Sequence, residues 1–136
     1  MTSGQMPSRP IGWWLKQADA HLDAAFDRSL EGRPVDRRGW QVLASLAKCP
    51  TSRSELVASL AIFDSPSAVD AVVRDLRSRG WVEESAGVLR LTSNGELEHA
   101  ALAPLVAGVR ARVAEALPQD DYVTLVQLLQ RLVEAV

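Results

Sequence analysis

The feature that most constrains this chain is a change of hydrophobic period at Gly80. Before that glycine, apolar residues recur at helical spacings of three and four. After it come two short runs rich in β-formers, Trp81–Glu84 and Val88–Leu91, separated by Ser85, Ala86 and Gly87. That pattern predicts a β-hairpin. Immediately upstream, Ser65 as N-cap and Pro66 as first helical residue start a helix that runs to about Arg79. Val69, Val72, Val73 and Leu76 form its inward stripe. Its other face carries Ser67, Ala68, Asp70, Ala71, Arg74, Asp75 and Arg77.

Two more short helices precede this one. Asp36 is placed to cap a helix over about Arg37–Ala47, with Trp40, Leu43, Ala44, Leu46 and Ala47 as its buried stripe and Cys49-Pro50 as its stop. Ser52 followed by Glu55 forms a capping box, which opens a helix through Leu56, Val57 and Leu60. Helices joined by a tight turn and followed by a two-stranded hairpin make a winged helix-turn-helix over Asp36–Thr92. An exposed helix of this diameter fits the DNA major groove. The helix near Arg53 would brace it and aim Ser52, Arg53 and Ser54 at phosphates through a helix N-terminus.

The flanks read as helices too. From Pro10 to about Glu31, Trp14, Ala18, His21, Leu22, Ala25 and Phe26 make one apolar stripe, with Asp19, Asp23 and Asp27 opposite and Gly32-Arg33-Pro34 as the stop. Thr92 and Ser93 before Glu96 start a long helix to about Ala116. Pro118, with Asp120 and Asp121, starts a last one to Val136. The last helix has Tyr122, Leu125, Val126, Leu128, Leu129, Leu132, Val133 and Val136. A stripe that wide calls for a partner. Residues 1–9 are polar and are expected to be a mobile tail.

Charge and composition narrow the function. Acidic residues (17) exceed Lys and Arg (15), for a net charge of −2, so a uniformly basic coat is excluded. The distribution is uneven. Residues 33–90 hold nine Lys or Arg against seven acids, a surplus of +2, and residues 91–136 hold three against six, a deficit of −3. The single Cys49 excludes an intramolecular disulfide framework and a multi-cysteine metal cage, and it fits a reducing cytoplasm. No signal peptide is read at the start, and no run of about 18 apolar residues is present to span a membrane.

The run Ser65-Pro-Ser-Ala-Val-Asp-Ala-Val-Val-Arg-Asp-Leu-Arg-Ser-Arg-Gly-Trp-Val, with Leu91-Thr-Ser-Asn-Gly95 behind it, resembles the MarR family of bacterial transcriptional regulators. Gly39-Trp-Gln-Val-Leu-Ala-Ser-Leu46 resembles that family's second helix, and Ser54-Glu-Leu-Val-Ala-Ser-Leu60 its third. The likeness covers nearly the whole chain. It implies a mainly α (α+β) single domain over residues 1–136. Residues 36–92 would be the winged helix-turn-helix lobe, and residues 10–31 and 96–136 the dimerisation helices. It further implies a homodimer on a pseudo-palindromic operator in double-stranded DNA, often released by a small aromatic effector.

On this reading Ser65, Ser67, Ala68, Asp70, Ala71 and Arg74 face base edges. Arg53, Ser54, Arg77 and Arg90 face phosphates, with Arg37 and Arg38 as further phosphate candidates. The dimer seam is Trp14, Leu15, Leu22 and Phe26 with Leu125, Leu128, Leu129, Leu132 and Val136. Trp14, His21 and Trp40 are the effector candidates, although aromatic residues on such helices also serve as packing.

The chain departs from the family pattern in two places. Ala71 and Asp75 stand where basic residues are expected on the recognition helix, and the wing tip lacks an Asp-Arg-Arg cluster. The rival reading follows from those departures: a winged-helix interaction protein whose partner is another protein. His21 and His99 lack the neighbours a metal pair needs, so no metal and no cofactor are expected. Cys49, beside Lys48, reads either as a redox sensor or as a small buried apolar residue. Glu83 and Glu84, adjacent on a strand, read as solvated charges pointing to opposite faces. No phosphate loop or catalytic triad is present, and an enzyme is not expected.

Overall fold

A computed structural model describes residues 8–136. Residues 1–7, most of the stretch expected to be a tail, lie outside the described residues. Six helices and a small sheet follow in the order α1 (Ile11–Ser29), α2 (Arg37–Lys48), β1 (Thr51–Ser52), α3 (Arg53–Ser59), α4 (Pro66–Ser78), β2 (Val82–Ser85), β3 (Val88–Leu91), α5 (Ser93–Ala116) and α6 (Gln119–Ala135).

Side-chain caps set the starts of α2, α3, α4 and α5, whereas α1 and α6 begin after a proline with no side-chain cap. Asp36 accepts from the Gly39 N–H at 3.0 Å, Ser52 from Glu55 at 3.2 Å, Ser65 from Ala68 at 3.2 Å and Thr92 from Gly95 at 3.0 Å. Each satisfies one of the donors a helix N-terminus leaves open. Pro118 lies one residue earlier than expected: it is the N-cap of α6 rather than its first residue, and Asp120 and Asp121 fill the first turn.

The hairpin turns through Ala86 (φ 54°) and Gly87 (φ 77°). Two consecutive positive φ values make the mirror-image turn that matches strand twist. Ala86 carries a Cβ into the left-handed region at a cost of about 1 kcal/mol. The sheet has a third, short strand that the sequence did not signal. β1 pairs antiparallel with β3 (Thr51 opposite Leu89, Ser52 opposite Val88), giving the order β1-β3-β2. Two extended residues are too few for any periodic pattern to show.

The core lies where α2, α4, β3 and α5 meet. Val42, Leu43, Leu56, Val69, Val73, Leu76, Leu89 and Leu102 are completely buried there. Three of them, Val69, Val73 and Leu76, are the expected inner stripe of α4, and Val72 flanks them partly buried. The outer helices differ. In α1 only Ala25 is buried, while Trp14, Ala18 and His21 of the expected stripe are exposed. In α6 nothing is buried.

The start of α5 is held against the end of α4. Thr92 donates its hydroxyl to the Gly80 carbonyl and its N–H to the Trp81 carbonyl. Gly95 follows so closely that an added Cβ would lie 2.0 Å from the Trp81 carbonyl oxygen. That neighbour is backbone and cannot swing aside. Gly95→Ala is therefore expected to destabilise the fold by about 1–3 kcal/mol, the cost typical of overpacking. Urea denaturation checks this, and an unchanged midpoint would contradict the close approach.

Candidate nucleic-acid interface and neighbouring crevice

With its inner stripe fixed, α4 presents the opposite face outward. Asp70, Arg74 and Arg77 share that face at helical spacings of four and three. Ser67, Ala71, Arg74 and Arg77 are exposed, and Ala68 and Asp70 are partly covered. Ser65 is exposed, but its hydroxyl is already the α4 cap. Ala71 sits to one side, lining a shallow crevice of about 620 Å³ with Asp75 and the α1–α2 loop. Ser54 is exposed at the start of α3, its hydroxyl 3.3 Å from that of Ser52. Arg90 is exposed on β3, in register with Glu83 of β2.

The expected phosphate contacts are not all free. Arg53 bridges three elements: Nη1 donates to Asp70 Oδ1 on α4 at 2.9 Å, while Nη2 and Nε donate to the two oxygens of Glu84 on β2 at 2.9 and 3.2 Å. Arg77 Nη1 donates to the same carboxylate at 3.1 Å. Arg37 pairs with Asp23 on α1, and Arg38 with Asp64 in the α3–α4 loop. Arg79 pairs with Asp75 one helical turn away. Of the nine cations in residues 33–90, Arg33, Lys48, Arg74 and Arg90 make no ion pair among the described residues.

This corrects the reading of Glu84 as a solvated charge. Its side chain is only 20% exposed and is held by two guanidinium groups. No local pattern could have shown it, because Arg53 lies 31 residues away.

A second crevice, about 720 Å³, opens between α2, α5 and the loop after α3. Trp40, Phe63, His99, Lys48 and Arg110 are among its lining residues. Trp40 is 6% exposed and belongs to the core as well. Its indole stacks on the His99 imidazole, with centroids 4.8 Å apart and planes 7° from parallel. Trp14 and His21, the other effector candidates, are exposed on α1 and do not line this crevice. His99 does, although the sequence brings it to notice only as half of an unsupported metal pair. Among the described residues no cluster of three or more His, Cys, Asp or Glu could hold a metal ion. Cys49 is exposed rather than buried, because the chain leaves α2 there in an extended conformation.

The architecture is that of a winged-helix protein with long flanking helices, and the comparisons with known proteins agree. The chain superimposes on a probable transcriptional regulator from Pseudomonas aeruginosa with a TM-score of 0.76 and 25% identity, covering 90% of this chain and 96% of that one. It superimposes on Bordetella bronchiseptica BpsR with a TM-score of 0.79 and 19% identity, covering 97% and 99%. For the Mycobacterium tuberculosis MarR family protein Rv2887 in complex with DNA, the values are 0.73 and 23%, covering 92% and 98%. The chain thus has the fold of the MarR family of transcriptional regulators. In sequence, no family model matches and no curated protein matches significantly. No helix among the described residues is long and apolar enough to cross a membrane.

The ion pairs around Glu84 have a pH signature. The Arg53 hydrogen bonds, with the charges of Arg53 and Arg77, hold its carboxyl below the usual carboxylate range. A lowered folded-state pKa stabilises the fold above the unfolded-state value and is lost as pH falls through the folded-state value. Wild type is therefore expected to lose stability over that acid window more steeply than Glu84→Gln, read as urea midpoint against pH. Parallel curves would refute it.

Proposed function

We propose that this protein is a DNA-binding transcriptional regulator that acts as a homodimer. One observation carries the reading. α4 is firmly capped and buried along one edge, and it turns a polar face with an unpaired Arg74 outward beside a hairpin. That is a helix shaped and braced for a major groove. Ser67 and Arg74 are the base-reading residues of this proposal, with Ser54 and Arg90 at flanking phosphates. Asp70 and Ser65 are spent on Arg53 and on the α4 cap, and they act by positioning the helix.

The exposed apolar residues of the terminal helices support the dimer. Trp14, Leu15, Leu125, Leu128 and Val136 are all exposed in the single chain, Val136 at 95%. Leu22, Leu129 and Leu132 are half-covered, and Phe26 packs against the core beneath Arg37. Burying each large side chain contributes roughly 1.5–3 kcal/mol, ample for a two-helix seam.

The Trp40–His99 crevice is the effector site of this proposal. Its aromatic walls and the Lys48 and Arg110 cations suit an aromatic carboxylate. The BpsR structure concerns regulation of DNA binding by 6-hydroxynicotinic acid, and Rv2887 has been solved with p-aminosalicylic acid. The function is binding rather than catalysis, and a reducing cytoplasm is its proposed setting.

Selection of genomic fragments at low ionic strength tests the reading, which fails if no fragment is enriched. Arg74→Ala should weaken binding to the selected fragment by about 1–3 kcal/mol, the cost of a lost bidentate base contact. An unchanged affinity removes Arg74 from the interface. Leu129→Asp should give monomers or insoluble protein, and a soluble dimer of unchanged mass in sedimentation would refute the seam.

A further inference from the structure

We propose that Glu84 is a built-in phosphate mimic that holds Arg53 and Arg77 away from non-specific DNA. It is thereby a specificity-determining residue of the interface. The inference rests on the DNA-binding reading above and adds a residue that neither the fold nor the comparisons assign.

The geometry is that of a guanidinium on an oxyanion. Arg53 places Nε and Nη2 on the two oxygens of the Glu84 carboxylate at 3.2 and 2.9 Å. The same planar fork recognises phosphate oxygens. Arg77 adds a third N–H at 3.1 Å, and the free end of Arg53 is taken by Asp70 at 2.9 Å. The result is a chain of alternating charge, Asp70–Arg53–Glu84–Arg77, that ties α3, α4 and β2 together and is neutral as a unit.

The location matters as much as the pairing. Asp70 and Arg77 lie on the same face of α4 as the unpaired Arg74, and Glu84 stands across a shallow groove from Arg74 and Arg77. A DNA phosphate reaching Arg53 there must displace a carboxylate that is already in place, and one reaching Arg77 meets that same carboxylate beside it. The displaced carboxylate stays nearby as a like charge. The phosphate gain that normally drives indiscriminate binding is thus largely offset at these two arginines. Arg74 and Arg90 carry no such offset. Binding therefore depends on the added base contacts of the correct sequence, and a duplex without them is released.

The test is a salt series with the full-length chain. Wild type, Glu84→Gln and Asp70→Asn are titrated against a mixed-sequence duplex and against a fragment recovered by genomic selection. Glu84→Gln keeps the shape and removes the charge. It should bind the mixed-sequence duplex roughly tenfold more tightly and steepen the log–log salt slope by about one to two per subunit, the yield of one or two freed guanidinium groups. The gain on the selected fragment should be smaller, so discrimination falls. Asp70→Asn, which frees only one side of Arg53, should move in the same direction by less, and it carries the test if Glu84→Gln loses its cooperative melt. If wild type binds the selected fragment but the variants bind mixed-sequence DNA no more tightly, with the wild-type slope, the proposal is overturned and the DNA reading stands. If no version of the chain binds either duplex at low salt, both fall.

Discussion

A helix can offer one face to a groove only when its other face cannot move, and here Val69, Val73 and Leu76 supply that constraint. All three are fully buried against the cluster built by α2, β3 and α5. The rest of the lobe is arranged around them. α3 packs beside α4 and supplies Leu56, and Leu60 follows at its C-cap. The hairpin adds Val82 and Leu89. The close approach of Gly95 to Trp81 locks the long helix α5 onto the end of α4. The outward direction of Arg74 is thus a consequence of core packing, and the chemistry of the surface depends on apolar residues that never touch a ligand.

Much of this was legible before any coordinates, because it is written in local chemistry. A capping side chain acts three residues away, so Asp36, Ser52, Ser65 and Thr92 announce their helices from sequence alone. The short break Ser85-Ala86-Gly87 between two β-forming runs announces the hairpin. The stripe of α4 repeats often enough to be counted. The same locality explains the misses. β1 is two residues long and exists only because β3 lies alongside it. The expected stripe of α1 is apolar in sequence, yet half of it (Trp14, Ala18 and His21) has no cover within the single chain. Its period indicates a face, and not whether the cover comes from the same subunit.

The electrostatics show the limit most clearly. A count of charges over residues 33–90 gives a modest positive surplus, which suggests a lobe with arginines to spare. The folded chain spends most of them: Arg37, Arg38, Arg53, Arg77 and Arg79 are each held by a carboxylate, four of them by partners outside their own helix. Partners separated by 14 to 31 residues meet only in the fold. The candidate effector crevice was half legible for the same reason. Trp40 stood out as an aromatic on a helix, but its stacking partner lies 59 positions further on, on α5. Net charge is a property of composition, whereas available charge is a property of the tertiary structure.

Helix α6 carries a consequence of its own. It is 17 residues long and none of its side chains is buried within the subunit. Isolated helices of about that length are marginal in water, since nucleation costs more than a few hydrogen bonds return. Its order rests on the partial cover of Val126, Leu129 and Leu132 and, in the proposed dimer, on the second subunit. In the proposed homodimer the final turns would report on how crowded the protein is: dilution would loosen them first, and amide exchange in this segment would track protein concentration while exchange in the α2–α4 core would not.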